Sequence, residues 1–164
     1  MNAVEPSCEA FAVLDRYIVP SSALRVTSSQ GQVILWPVTS AITMAVAIGH
    51  GDAGLGEQLR DANEQLMEGR RGVTSFFDAV DFTGYESRFR TTLADLGKRQ
   101  IKGGQLTASC LLTRSKIVSM GAAVANLVLD SRLRVFSDPC AFDRHLVTLG
   151  GGAALRPVGV RETG

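Results

Sequence analysis

The chain has 164 residues, 45% of them hydrophobic and 20% charged, with a formal net charge of +1. One domain of that size buries roughly two-thirds of the surface its unfolded form exposes. The near-neutral balance gives no general drive toward nucleic acid or an anionic membrane, and the composition excludes wholesale disorder.

Cys8, Cys110 and Cys140 are an odd, widely spaced set without a Cys-x-x-Cys pair. Buried free thiols in a reducing compartment are the expectation, with neither a metal nor a redox site and no cofactor. The N-terminus carries no basic segment followed by an apolar run and a cleavage site, so no secretory signal is expected. The longest apolar stretches, 41–48 and 117–129, are too short or too interrupted to cross a bilayer. Cytoplasmic residence follows as the default.

In chain order, 1–20 leaves strand and helix open: Phe11-Ala12-Val13-Leu14 and Tyr17-Ile18-Val19 are apolar enough for a strand or a helical turn, and Pro20 ends whichever forms. Residues 23–27 and 32–37 flank the polar joint Ser28-Ser29-Gln30-Gly31, which predicts an antiparallel hairpin. Thr39 or Ser40 can cap a helix running to Ile48, followed by a glycine-rich break over 49–56. Leu55, Leu59, Ala62 and Leu66 fall at helical spacing, and Gly69 stops that second helix, predicted over 57–68.

From Val73 onward, strand-like and helix-like segments alternate. Strands are expected at 73–80, 106–113 and 133–137. Helices follow from near Tyr85, over 115–130 and over 139–149. Parallel neighbours cannot be joined by a tight turn, so three strand–helix units predict parallel strands with helical crossovers. In the 115–130 helix, Ile117, Met120, Val124, Leu127 and Val128 build a broad apolar face, while Gly121, Ala122, Ala123 and Ala125 allow close approach to the sheet. Asp138-Pro139 starts the last helix, and the segment after Gly150 is expected to fray.

This order, carried by 76–87, by Ser115-Lys116-Ile117-Val118-Ser119-Met120-Gly121 and by 133–138 with Ala141-Phe142, resembles the STAS domains of the SpoIIAA, anti-sigma factor antagonist, type. The resemblance implies an α/β fold: a STAS-like single domain, a mixed β-sheet with parallel central strands flanked by helices, and an N-terminal hairpin. It divides the chain into an N-terminal extension (1–22), the domain (23–150) and a flexible tail (151–164). In that family a strand ends in Asp, and an acidic residue followed by a serine then opens a helix. The serine is phosphorylated by a partner kinase. Counting from Asp78, Glu86-Ser87 falls near that position and makes Ser87 the phosphoacceptor candidate; Arg88-Phe89-Arg90 follow, where the family carries small residues.

Ligand or partner contacts of such sheets gather outside the carboxyl ends of the parallel strands. Asp81, Thr83, Tyr85, Glu86, Arg88 and Arg90 are therefore the partner-binding candidates, and Thr83 and Glu86 also fit a capping box. His50 with Asp52 is a weak acid–base candidate, and His145 reads as an amphipathic surface position. No nucleophile or oxyanion arrangement is implied, so no enzyme is expected. The leading expectation is a non-enzymatic, regulatory protein-binding module in signalling. Its implied partner is an anti-sigma factor, a kinase or a larger signalling assembly. The alternative is a small-molecule or lipid carrier, which predicts an enclosed apolar pocket beneath 41–48 or 117–129.

Overall fold

Residues 13–157 are described by a computed structural model, and they form one six-stranded sheet in sequence order. Cys8 and the outer parts of segments 1–22 and 151–164 lie outside the described residues. Strands β1 (Leu24–Thr27) and β2 (Gly31–Thr39) make the expected antiparallel hairpin, with Leu24 opposite Leu35 and Val26 opposite Val33.

The helix expected up to Ile48 is instead β3 (Ile42–Gly51), antiparallel to β2. Its side chains alternate. Ile42, Met44, Val46 and Ile48 face one apolar core, and Ala45 and Ala47 face the other. That is strand period, and the large even-numbered positions carry it. The glycine-rich stretch is not a loose connector either. A Cβ on Gly49, at φ +91°, would lie 2.4 Å from the Gln30 carbonyl oxygen, so only glycine lets the two strands close.

Beyond β3 the sheet is parallel: β4 (Val73–Tyr85), β5 (Leu106–Leu112) and β6 (Leu133–Phe136) follow in order. Helices α1 (Ala53–Met67), α2 (Ser87–Lys102) and α3 (Lys116–Val128) are the crossovers. Strands added in one direction by right-handed crossovers place all three helices on one face. Leu55 and Leu59 of α1, Phe89 of α2 and Val118 of α3 accordingly share a core with Val33, Leu35 and Ala79 of the sheet.

The opposite face is covered by α4 (Pro139–Thr148) and two 3₁₀ turns, Val13–Arg16 and Gly152–Ala154. Phe142 and Leu146 pack there with Val13, Tyr17, Trp36, Phe76 and Phe136. The two ends of the described chain are joined: Tyr17 bridges Leu155, and the Arg156 amide donates to the Arg16 carbonyl at 2.9 Å. Within 13–22, Val13 and Tyr17 are buried against this face. Ala154 is buried. Among the described residues, no helix is long and apolar enough to cross a membrane.

Candidate functional site

The α1–α3 layer does not fill the space above the sheet. A cavity of about 210 Å³ lies between the helices and β3, β4 and β5. Its cause can be read from the side chains that face it. Helix α2 presents Arg90, Leu93, Ala94 and Gly97, and α3 presents Val118, Gly121, Ala122 and Ala125, each set at helical spacing. Most of these are small. Ser75, Phe77, Ser109 and Leu111 on the central strands are only half-buried, so the space reaches solvent.

Helix α3 approaches the sheet through its small residues, as expected, and leaves its broad apolar face uncovered. Its large residues, Ile117, Met120, Val124, Leu127 and Val128, point outward, with Met120 70% and Leu127 83% exposed. The Gly/Ala face turns toward the sheet. Tyr85 locks that orientation: its hydroxyl donates to the Ile117 carbonyl at 3.0 Å, and its ring fills the place a Gly121 side chain would need.

The polar groups at the cavity are few and mostly satisfied. Ser75 and Ser109 share a hydroxyl–hydroxyl bond of 2.9 Å, and the Gln100 amide donates to Asn63 Oδ1 at 2.6 Å. Among the described residues, Arg90 is the only charged one lining the space. Cys110, also in the wall, has its thiol pushed up to about 11 by burial, partly offset by Arg134. At neutral pH it stays protonated and is no nucleophile.

The structure divides the predicted contact residues. Asp81 and Thr83 are exposed but lie within β4, because 48–51 of β3 pair with 81–85 and extend the ribbon beyond β5. Residues 81–85 are therefore strand, and Ser87 already begins α2. Thr83 donates its hydroxyl to the Gly49 carbonyl at 3.1 Å and caps nothing. Glu86 holds the cap position of α2 without a side-chain bond; its Oε2 accepts instead from the Ala53 amide, at the start of α1. The capping box does not form. Ser87 and Arg88 are exposed on the first turn of α2, while Tyr85 and Arg90 look into the cavity.

The His50–Asp52 pair has a structural explanation. Asp52 caps α1, accepting from the Leu55 amide at 2.7 Å. That bond, then the Ser28 hydroxyl, holds its carboxyl below the usual range. His145 is not a plain surface residue, for it lies within 6 Å of both the Phe76 and Phe136 rings. Burial and then Arg134 lower its pKa. Cys140 is disulfide-bonded, so the expectation of free thiols holds for Cys110 and fails for Cys140.

Sequence reasoning missed a buried ionic cluster on the α4 face. Arg16 meets Asp78 at 2.8 Å and Asp143 at 2.5 Å, and the Tyr17 hydroxyl also donates to Asp78. Asp78 is fully buried in β4, and its other oxygen accepts from the Val80 amide. Burial raises the Asp78 carboxyl, with Tyr17, Val80 and Arg16 pulling it back only in part. Burial likewise raises Tyr17, further helped by the Asp78 charge. Four groups satisfied by one another make a clamp between the first 3₁₀ turn, β4 and α4.

No family model matches the chain, and no curated protein matches it. Among solved structures, it is similar to an uncharacterised DUF3478-family protein of Shewanella loihica PV-4 described as having a SpoIIAA-like fold. The TM-score is 0.51 at 14% identity, over 78% of this chain and 91% of the other. Such identity speaks to architecture alone. The meander, the three crossovers and that similarity agree, and the chain has a SpoIIAA-like α/β fold.

Proposed function

We propose that this STAS-like module binds an apolar small molecule in the cavity between the sheet and the α2–α3 pair. The observation that carries the reading is the cavity itself: about 210 Å³ of space under α3, walled by apolar side chains with few polar groups. Apolar space with a small number of placed polar groups is the usual make-up of a ligand site. It is larger than the ~150 Å³ void that accepts benzene in another protein. No step of chemistry is asked of the site, and its role is carriage or sensing.

The test uses a neutral apolar probe. Native mass spectrometry with 1-octanol should retain one molecule per chain, and Ala125→Leu, which fills the space, should abolish retention. Retention unchanged in Ala125→Leu, or none in the wild type, defeats the reading.

A second reading has its own observation, the outward apolar stripe of α3. Exposed contiguous apolar surface commonly marks a protein contact. On this reading the chain is a regulatory protein-binding module of the anti-sigma factor antagonist kind. It contacts an anti-sigma factor, a kinase or a signalling assembly through α3, and Ser87 is a phosphoacceptor at the exposed start of α2. Leu127→Glu should then release any protein that co-purifies, with the fold unchanged by circular dichroism. This reading assigns the chain to the cytoplasm. A Cys140 that alkylates at once in fresh lysate agrees with that compartment, whereas one that labels only after reduction argues for an oxidising one.

A further inference from the structure

We infer that the cavity ligand is an anionic amphiphile: an apolar tail of about eight carbons with an oxyanion head held by Arg90. The inference rests on the ligand-binding reading above and adds the chemistry of what binds. At the scale of a ~150 Å³ void holding six-carbon benzene, 210 Å³ holds about eight carbons.

The head group follows from charge. Arg90 is half-buried on the α2 side of the cavity, and no Asp or Glu lines the space. Among the described residues, no carboxylate forms an ion pair with it. Glu86, one turn before it, is the nearest candidate on its own helix, and Glu86 Oε2 is bonded to the Ala53 amide. The other side-chain polar pairs at the wall, Ser75 with Ser109 and Asn63 with Gln100, are closed on each other. A half-buried arginine lining an apolar space, with no side-chain hydrogen bond or ion pair among the described residues, suits a carboxylate or phosphate oxygen pair. A neutral ligand would leave it to solvent. The tail then lies along Leu93, Ala94 and Gly97 on one side and Gly121, Ala122 and Ala125 on the other.

The experiment compares sodium octanoate, octyl phosphate and 1-octanol by calorimetry on the full chain, with Arg90→Gln and Arg90→Lys beside the wild type. Arg90 is half-buried on a surface helix, and circular dichroism with urea unfolding confirms that each variant folds. At least one of the two anions should bind wild type about tenfold more tightly than octanol. Arg90→Gln should erase that difference, and Arg90→Lys should restore part of it. Preference for octanoate identifies a carboxylate head, and preference for octyl phosphate a phosphate head. Equal binding of all three, or anion binding indifferent to Arg90→Gln, overturns the inference while leaving the cavity reading in place. Binding of none overturns both.

Discussion

Arg16 crosses from the first 3₁₀ turn to Asp78 in the middle of the sheet, an ion pair of 2.8 Å between side chains 8% and 0% exposed. It ties the described N-terminal residues to the fourth strand, and Asp143 extends the tie to α4. The clamp explains why Tyr17, N-terminal to the expected domain, is buried in the core.

Removing one partner of a buried pair leaves the other charge uncompensated, at a cost of about 3–5 kcal/mol. Asp78→Ala should therefore lower the unfolding free energy by about 3 kcal/mol or more in urea melts. Tyr17→Phe removes one hydrogen bond and leaves Asp78 paired with Arg16 and Val80, so about 1 kcal/mol is expected. Equal losses from the two variants would contradict the assignment of the ion pair as the principal contact.

The same cluster predicts a pH dependence of unusual sign for carboxylates. Burial raises Asp143, with Arg16 only partly offsetting it, and burial raises Asp78 likewise. The folded chain then holds protons that the unfolded chain releases. Stability from these groups falls as pH rises from the ordinary carboxylate range, near 4, through the raised folded values, and is flat above them. Asp52 is shifted the other way and loses its contribution as pH falls, but it is common to wild type and variant. Urea unfolding between pH 4 and 7 should show the stability of wild type relative to Asp143→Asn declining as pH rises. A relative stability that climbs with pH would reverse the assigned shift.

Gly121 tests the α3 orientation. An added Cβ would sit 1.7 Å from the Tyr85 hydroxyl oxygen, so Tyr85 must swing away and abandon the Ile117 carbonyl. Because the obstacle is the far end of a side chain, Gly121→Ala should cost about 1–2 kcal/mol rather than unfold the protein. In a Tyr85→Ala background the cost should largely vanish, a coupling a double-mutant cycle reads directly. Unaltered cost in that background would mean Tyr85 does not set the helix orientation.

Leu127→Glu, by contrast, changes a residue 83% exposed and should shift stability by less than about 0.5 kcal/mol. A loss above 2 kcal/mol in thermal or urea melts would mean Leu127 is buried in solution and α3 is turned inward.

Much of the fold was legible because it rests on local patterns. The hairpin joint, the Asp138-Pro139 start and the stripe Leu55, Leu59, Ala62, Leu66 each announce an element without tertiary help. Segment 42–51 misled because its alanines suit a helix, whereas Ile42, Met44, Val46 and Ile48 recur every second residue. Strand β4 outran its expected end because Phe82 packs on Phe89, a contact that turn propensity at Thr83-Gly84 does not reveal. The exposure of the large apolar residues of α3 was not legible for a plainer reason. Periodicity locates two faces of a helix but presumes that the larger residues go inward. Here the small ones do, and the candidate cavity is the consequence. Arg90 was singled out as a contact residue, yet its place beside that space depends on packing between helices far apart in sequence.

The most direct test of the cavity is a methyl-resolved NMR titration with 1-octanol. The account predicts shifts confined to the methyls of Ala94, Ala122, Ala125 and Val118, with Met120 and Leu127 unmoved. Shifts centred on Met120 and Leu127, or none at all, would contradict it.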